Sequence, residues 1–329
     1  MKAMVQDIYG PPAVLRLEET DRPVPGKGEV LVRVYAAAVD QGVWHLVAGM
    51  PYAIRAAGFG LRAPKSRVPG MDLAGRVEAV GPDVTRFRPG DEVYGSGTGS
   101  FAEYACAKED RLAPKPVNLG FEAAAAVPVS ACTALKALRD GGRIEAGQRV
   151  LILGASGGVG SYAVQLAKAF GAHVTGVCSG AKADLVRSLG ADEVVDYLHE
   201  DPTDGRHRYD LVLDIAGNRR LSRLRRALTA RGTLVIVGGE EGGRWIGGTQ
   251  RQLAALLLSP FISQNLRPLA SVEHHSDLRV LTDLIEAGKV TPAVDRTYPL
   301  AEAPDAIRHL REGQVRGKLV IRVGGPREH

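Results

Sequence analysis

The stretch LILGASGGVG, residues 151–160, constrains the fold more than any other part of the chain, because an apolar run ends abruptly in closely spaced glycines. Two interpretations place it at a turn from a strand to a helix. As A-x-G-x-x-G, beginning at Ala155, it predicts a loop that binds the pyrophosphate of a dinucleotide. As G-x-S-x-G, centred on Ser156, it predicts the nucleophile elbow of a serine hydrolase.

From about residue 120, strands alternate with helices, which predicts a parallel sheet covered by helices. Helical spacing of apolar residues recurs from Ala163 to Phe170, and Gly171 follows where a helix is expected to stop. Six strands of this kind make a complete doubly wound Rossmann fold. The predicted strands cover residues 149–153, 173–178, 193–195, 210–215, 233–237 and 269–272.

The first 115 residues instead contain short strands separated by turn residues, which indicates a β-rich barrel. Strands are predicted at 29–39, 75–81 and 90–95, and in the first of these Val30, Val32 and Val34 alternate onto one side. Residues 48–70 have no clear period and are interpreted as a loop over a cleft. After residue 272 the pattern predicts helices at 277–287 and 302–311 and a strand at 319–323, which returns to the first domain.

Composition excludes several classes of protein. Hydrophobic residues make up 45% and charged residues 24% of the 329 residues, and no apolar run is long enough to span a membrane. The net charge of +5 is spread along the chain, and the basic segment 220–232 has Leu221, Leu224 and Leu228 at helical spacing, which favours a solvated helix over nucleic-acid binding. Three separated cysteines and no apparent targeting segment predict a cytoplasmic protein without disulfides.

The two interpretations of the glycine loop differ in what they explain. A hydrolase needs an acid and then a histidine after the serine, and Asp214 with His274 or His275 meets that order. The hydrolase interpretation gives no reason for Gly157 or Gly160. A dinucleotide site does, because bare backbone N–H groups must approach the pyrophosphate and the helix must lie close to its strand. The sequence therefore favours dinucleotide binding, with the hydrolase as an alternative.

The end of the second predicted strand bears on the choice of cofactor. NAD-binding proteins usually place a carboxylate there for the ribose 2'-hydroxyl. Ser179 and Gly180 occupy that place, followed by Lys182. A hydroxyl and an ammonium group suit a 2'-phosphate, so NADPH is the predicted cofactor. In the alternative, Ser179 merely caps the next helix and Lys182 is an exposed lysine.

Several segments resemble one known family. GASGGVGSYAVQLAKAFGAHVTGVCSG and VRSLGADEVVDY resemble the cofactor domain of the medium-chain dehydrogenase/reductase superfamily, in its zinc-independent quinone oxidoreductase-like branch. PGMDLAGRVEAVGPDV, RPGDEVYG and FAEYACA resemble its GroES-like catalytic domain, and AGKVTPAVDRTYPLAEAPDAIRHL with RGKLVI its closing segment. The resemblance implies a catalytic domain of residues 1–120 and 273–329, a Rossmann domain of residues 121–272, a cleft between them, and a homodimer.

The sequence departs from the zinc-dependent members of that superfamily. Gly70-Met71-Asp72 stands in place of G-H-E, and Asp40 and Val129 stand at or near the positions of two cysteine ligands. Without a Lewis acid an alkoxide is poorly stabilised, whereas reduction of a quinone or an α,β-unsaturated carbonyl gives a delocalised anion. The resemblance therefore implies metal-free hydride transfer from NADPH to such an acceptor; an NADPH-binding sensor without turnover is the alternative.

The resemblance also suggests individual site residues. Asp40 is expected near the nicotinamide ribose; alternatively, it is an acid of a surface loop. Tyr52 is expected to donate a proton or to stack on the substrate; alternatively, its ring only packs within the loop. The predicted cofactor-binding residues are Ser156, Gly157, Gly158 and Val159 at the pyrophosphate, Ser179, Lys182 and Tyr197 at the 2'-phosphate, and Thr133, Gly217 and Gly238 at or beside strand ends.

Overall fold

The computed structural model describes residues 1–239, 243, 245 and 247–324. The chain divides into two compact units. The first comprises Met1–Cys132, Val272–Gly288 and the chain from Pro292 onward, and the second comprises Thr133–Ser271 and Lys289–Thr291. Within the described residues, no helix is long and apolar enough to cross a membrane.

The first unit is built on a seven-stranded sheet in the order β14-β15-β3-β4-β5-β7, with β6 paired to β3, beside a two-stranded sheet of β1 and β2. The strands are β1 (Lys2–Val5), β2 (Arg16–Glu19), β3 (Glu29–Val39), β4 (Asp72–Val80), β5 (Glu92–Ser96), β6 (Tyr104–Lys108), β7 (Leu112–Pro114), β14 (Val294–Pro299) and β15 (Lys318–Arg322). The helices are α1 (Gln41–Ala48), α2 (Phe121–Ala125), α8 (His275–Glu286) and α9 (Ala303–Arg311), and α3 (Pro128–Lys136) runs on into the second unit.

Strand β3 organises this unit because both of its faces are buried. Val30, Val32 and Val34 pack in one cluster, as their alternation predicts, and Val39 lies in a second cluster with residues of α9 and β15. β15 pairs antiparallel with β3, with Leu319 opposite Val39. The prediction that the last strand returns to the first domain is therefore confirmed.

The second unit contains a six-stranded sheet, all parallel, in the order β10-β9-β8-β11-β12-β13. In chain order this is 3-2-1-4-5-6, the doubly wound order, with its switch point between β8 and β11. The strands are β8 (Arg149–Leu153), β9 (His173–Cys178), β10 (Glu193–Asp196), β11 (Tyr209–Asp214), β12 (Leu228–Ile236) and β13 (Asn265–Pro268), and the helices are α4 (Gly158–Ala169), α5 (Ala183–Ser188), α6 (Leu221–Arg226) and α7 (Thr249–Leu258).

Two details of the second unit correct the sequence prediction. The sixth strand is Asn265–Pro268 and not 269–272, because the backbone that pairs with β12 lies in the more polar segment. Leu228 begins β12 and does not continue the predicted helix, which ends at Arg226. Leu224 and Leu228 are nevertheless buried in the same cluster, so an apolar spacing that suits one helix here spans a helix, a turn and a strand.

Candidate cofactor and substrate site

The glycine loop lies directly between β8 and α4, at the switch point of the sheet. Gly154 follows the strand with φ of +89°, and Gly157 precedes the first helical residue in an extended conformation. A Cβ on Gly160 would lie 2.1 Å from the carbonyl oxygen of Gly154, so this glycine lets the helix approach its strand, as predicted. A Cβ on Gly157 would meet only the Gly154 oxygen, at 3.6 Å, within the described part of the chain. Packing among these residues therefore does not require a glycine at position 157.

The first turn of α4 has the donors that an anion requires. The first intrahelical bond in this turn runs from Ser161 N to Gly157 O, at 2.9 Å, so the N–H groups of Gly158 and Val159 precede the helical hydrogen-bond ladder. The helix is 12 residues long and directs the positive end of its dipole toward this loop. Ser156, which immediately precedes Gly157, is buried. These residues fit a bound pyrophosphate.

Two further predicted glycines follow β11 and β12. Gly217 has φ of +71°, and a Cβ there would lie 2.8 Å from the carbonyl carbon of Gly238. A Cβ on Gly238 would lie 1.9 Å from the oxygen of Ile215. Close packing of the two strand-end loops is thus sufficient reason for both glycines, and their contact with a cofactor stays a prediction.

An ion pair that the sequence analysis missed joins these loops. Asp214, the last residue of β11, is fully buried, and Arg251 of α7 donates to its carboxylate and to the carbonyl oxygen of Gly217. Burial raises the pKa of Asp214, while the charge of Arg251 opposes that rise. The pair fixes the position of the Gly217 turn. An acid at the end of a strand was visible in the sequence, but its arginine partner lies in a helix with no motif of its own.

The same contacts weigh against the hydrolase alternative. Asp214 Oδ1 accepts from Gly217 N at 3.2 Å, and its other oxygen accepts from Arg251. His274 caps α8, where its Nδ1 lies 2.8 Å from Ser276 Oγ. The acid and the first histidine proposed to act with Ser156 are therefore engaged elsewhere.

The residues predicted to bind the 2'-phosphate lie at the ends of β9 and β10. Ser179 directly follows β9, and its carbonyl oxygen accepts from Lys182 N at 2.9 Å, while its hydroxyl makes no capping hydrogen bond. Tyr197 follows β10, its N–H donates to Cys178 O at 3.2 Å, and its side chain is 52% exposed. The backbone thus brings Ser179, Lys182 and Tyr197 to neighbouring strand ends. Thr133, in contrast, lies within α3 and not at a strand end.

In the first unit, Asp40 occupies the N-cap of α1 and is not a surface loop acid. Its Oδ1 accepts from Val43 N at 2.9 Å. Its Oδ2 is buried and accepts no hydrogen bond within the described part of the chain. A buried carboxylate oxygen without a donor is unfavourable, and a hydroxyl group of a ligand is one way to satisfy it.

The charge of Asp40 acts on a second acid, Asp72, which is fully buried and paired with a buried lysine. Lys318 Nζ, at the start of β15, donates to Asp72 Oδ2 at 3.2 Å and to Ser130 Oγ at 3.0 Å, and Asp72 Oδ1 accepts from Val129 N at 2.8 Å. Burial raises the pKa of Asp72 to about 7, against the attraction of Lys318, and the charge of Asp40 raises it further. From the sequence, Asp72 was named only as part of the segment in place of G-H-E, and this network was not predicted.

These contacts do not suit a zinc ion. Both oxygens of Asp72 already accept hydrogen bonds, and Met71 supplies neither an imidazole nor a thiolate. Among the described residues, no three or more His, Cys, Asp or Glu side chains form a group able to hold a metal ion. The donors that a catalytic zinc site requires are therefore not assembled around Asp40 and Asp72.

Tyr52 lies in the segment that the sequence analysis interpreted as a loop, just before a helical turn at Arg55–Phe59. The guanidinium of Arg55 lies 4.8 Å from the centre of its ring and 4.4 Å from that of Tyr9. Tyr9 Oη in turn hydrogen-bonds to the carbonyl oxygens of Phe59 and Gly60. The ring of Tyr52 thus belongs to a packed cluster, and its role as a proton donor stays a prediction.

Two protein-family models match the chain. The model described as "Alcohol dehydrogenase GroES-like domain" matches residues 26–117, and the model described as "Zinc-binding dehydrogenase" matches residues 189–321. Quinone-oxidoreductase QR1, chloroplastic, of Triphysaria versicolor is 33% identical, with 98% of each chain covered. The 2-methylene-furan-3-one reductase of Solanum lycopersicum is also 33% identical, with 98% of this chain and 79% of the relative covered.

Solved structures give the same result. The quinone oxidoreductase from Coxiella burnetii superposes with a TM-score of 0.87 at 30% identity, covering 98% of this chain and 99% of the other. Mycobacterial Rv1454c, solved as a complex with NADPH, superposes with a TM-score of 0.82 at 28% identity, covering 98% and 99%.

The chain belongs to the medium-chain dehydrogenase/reductase superfamily. More narrowly, it is a member of the quinone oxidoreductase-like branch, and it is an oxidoreductase of an NAD(P)H-binding family. The resemblance and the combination of a Rossmann sheet with a GroES-like unit are thereby confirmed.

Proposed function

We propose that the protein is an NADPH-dependent oxidoreductase that transfers hydride to a quinone or an α,β-unsaturated carbonyl without zinc. The glycine loop at the switch point carries the cofactor part of this proposal. Gly157 leaves room that packing does not require, next to the N–H groups of Gly158 and Val159. The similarity to a mycobacterial structure that contains NADPH supports the same conclusion.

The donor set around Asp72 supports the choice of substrate. Asp72 is bonded to Lys318 and to Val129 N, so the family's zinc position has no suitable ligands among the described residues. Hydride addition to a quinone or enone places negative charge on a delocalised phenolate or enolate, which hydrogen bonds stabilise without a metal. Relatives named as a quinone oxidoreductase and as a furanone reductase act on substrates of these classes.

The named residues divide between binding the cofactor and acting on the acceptor. The N–H groups at the start of α4 bind the pyrophosphate, and Ser179, Lys182 and Tyr197 lie at the 2'-phosphate. Asp40 accepts from a ribose hydroxyl through Oδ2, which has no donor among the described residues. Tyr52 stacks on the acceptor or donates the proton that completes reduction. NADPH, when bound, supplies the hydride, and the protein supplies position and excludes water.

The test is the initial rate of NADPH oxidation, followed by absorbance, in chelator-treated protein supplied with an ortho-quinone or a simple enone. NADH is the comparison cofactor. Fast turnover with NADPH, slower turnover with NADH and no gain on adding zinc support the proposal. Zinc-dependent activity would contradict the metal-free mechanism. Tight NADPH binding with no oxidation by either acceptor would favour a sensor.

We also propose that the protein forms a homodimer through the β13 edge of the second unit. Among the residues that the structure describes, β13 is hydrogen-bonded on one side only, to β12. The nearby helix α7 and the turn after it expose large apolar side chains, which is unusual on a surface that stays in water. These residues are Leu253, Leu256, Leu257 and Phe261, exposed by 58%, 52%, 74% and 83%. A second copy would cover both the open edge and these side chains.

A further inference from the structure

A carboxylate that the sequence analysis did not consider lies beside the residues predicted to bind the 2'-phosphate. Asp196, the last residue of β10, is in register with Cys178, the last residue of β9. Its Oδ2 lies 2.6 Å from the position that a Cβ on Gly180 would occupy. The carboxylate therefore lies directly against the turn formed by Ser179 and Gly180.

The orientation of this carboxylate is fixed by the backbone that follows it. Asp196 Oδ1 accepts from Leu198 N at 3.0 Å. His199 Nε2 lies 3.7 Å from Oδ2, and its side chain is 84% exposed, whereas that of Asp196 is 23% exposed. Oδ2 is thus held toward Gly180 at a partly open position.

Asp196 and Lys182 act on the same end of the sheet with opposite charge. Burial raises the pKa of the Cys178 thiol, the carboxylate of Asp196 adds to this rise, and the charges of Lys182 and Arg187 oppose it. Both side chains are therefore close enough to influence a ligand at the end of β9.

NADH and NADPH differ at the 2' position of the ribose that would lie at the end of β9. The ribose of NADH has a 2'-hydroxyl, which can donate a hydrogen bond to a carboxylate. In NAD-binding proteins that carboxylate is usually an acid at the end of the second strand. NADPH has a 2'-phosphate, which is a dianion near neutral pH and has acceptors only. A carboxylate here favours the hydroxyl, and an ammonium group favours the phosphate.

We propose that Asp196 is a specificity-determining residue that opposes Lys182 and holds the preference for NADPH over NADH to a modest level. β10 thus supplies the acid that is missing from the end of β9, and the protein binds both cofactors. This inference rests on the proposed function, because it requires the second unit to bind a nicotinamide dinucleotide.

The test is a calorimetric titration with NADP⁺ and with NAD⁺, in the absence of any acceptor, for the wild-type protein and Asp196→Asn. Removal of the charge is expected to strengthen NADP⁺ binding about tenfold and to leave NAD⁺ binding equal or weaker. The gain should shrink at high salt, because repulsion at a partly exposed site is screened. The asparagine retains an acceptor for Leu198 N, and Asp196→Ser serves as a second variant if the first is unstable.

Asp184→Asn is the matched control. It removes the same charge two residues after Lys182, from a side chain that is 94% exposed and that pairs with Arg187 Nη1 at 3.3 Å on its own helix. Its ratio of NADP⁺ to NAD⁺ affinity should change less than about twofold.

The outcomes separate the two proposals. An unchanged affinity ratio in both Asp196 variants, or an equal change in Asp184→Asn, overturns the role of Asp196 and leaves the proposed function intact. A shifted ratio in a protein that oxidises neither cofactor with any acceptor supports Asp196 and overturns the proposed reductase activity. Failure of the wild-type protein to bind either cofactor overturns both.

Discussion

Two glycines of the same loop are required for different reasons, and alanine substitution separates them. In Gly160→Ala the new Cβ would lie 2.1 Å from a backbone oxygen, so we expect a loss of stability of about 1–3 kcal/mol or more. In Gly157→Ala the nearest atom is 3.6 Å away, so we expect a loss of no more than about 1 kcal/mol, from the poorer N-cap, but at least about tenfold weaker NADPH binding.

Thermal unfolding without cofactor and fluorescence titration with NADPH measure the two effects. Each variant is the control for the other. Unchanged NADPH affinity in Gly157→Ala would show that the pyrophosphate does not approach this residue.

Single residues were predicted best where a glycine has a local reason to be there. The roles of Gly160 and Gly171 followed from the sequence, and the structure confirms the close contact of the first and gives the second φ of +81°. Asp40 was interpreted as either a cofactor ligand or a loop acid, and neither included its function as a helix cap. The signal was local, since aspartate is a preferred N-cap residue, but helix α1 at Gln41–Ala48 was not predicted.

Among the elements, β4 and β15 are joined by the buried contact between Asp72 and Lys318, whose effect on stability depends on pH. The pKa of Asp72 rises from 3.8 to about 7 in the folded protein. At a pH between these two pKa values, Asp72 holds a proton in the folded protein that it has released in the unfolded chain. The contribution of this proton is complete below the unfolded pKa and is lost as the pH rises through the folded pKa.

We therefore expect the free energy of unfolding of the wild-type protein, relative to Asp72→Asn, to fall as the pH rises from about 4 to about 7. The slope is at most about 1.4 kcal/mol per pH unit, the limit for one proton. Denaturant titrations at several pH values measure it, with the exposed Asp184→Asn as the charge control. A difference that is constant across this range would mean that Asp72 titrates normally.

Elements were predicted well where apolar periodicity is local. β8, β9 and β3 were predicted with the bounds that the structure has, and α8 and α9 within two residues at each end. β13 was misplaced because its residues, NLRP, are no more apolar than their neighbours and are selected by pairing with β12. The pair of Asp72 and Lys318 has no local signal either, since its partners come from opposite ends of the chain.

For the whole molecule, the proposed dimer can be tested by placing charged side chains in its interface. We expect the wild-type protein to have twice the 34.9 kDa mass of one chain, and the double variant Leu257→Glu/Phe261→Glu to have the mass of a monomer, because burial of two carboxylates without partners is unfavourable. Size-exclusion chromatography with light scattering at several concentrations measures both masses. Val24→Glu, at an 85% exposed apolar position of the first unit, is the control. A wild-type monomer at every concentration would contradict the proposal.

The pairing of β15 with β3 has a consequence for the newly made chain as it leaves the ribosome. Leu319 pairs with Val39, and all of Thr133–Ser271 is synthesised between them. Until the last strand emerges, the apolar edge of β3 at residues 36–39 has no partner on that side, and an open edge of this kind invites pairing with other chains. The second unit is therefore fully synthesised before the first, and during that interval the unpaired edge of β3 exposes the nascent chain to aggregation.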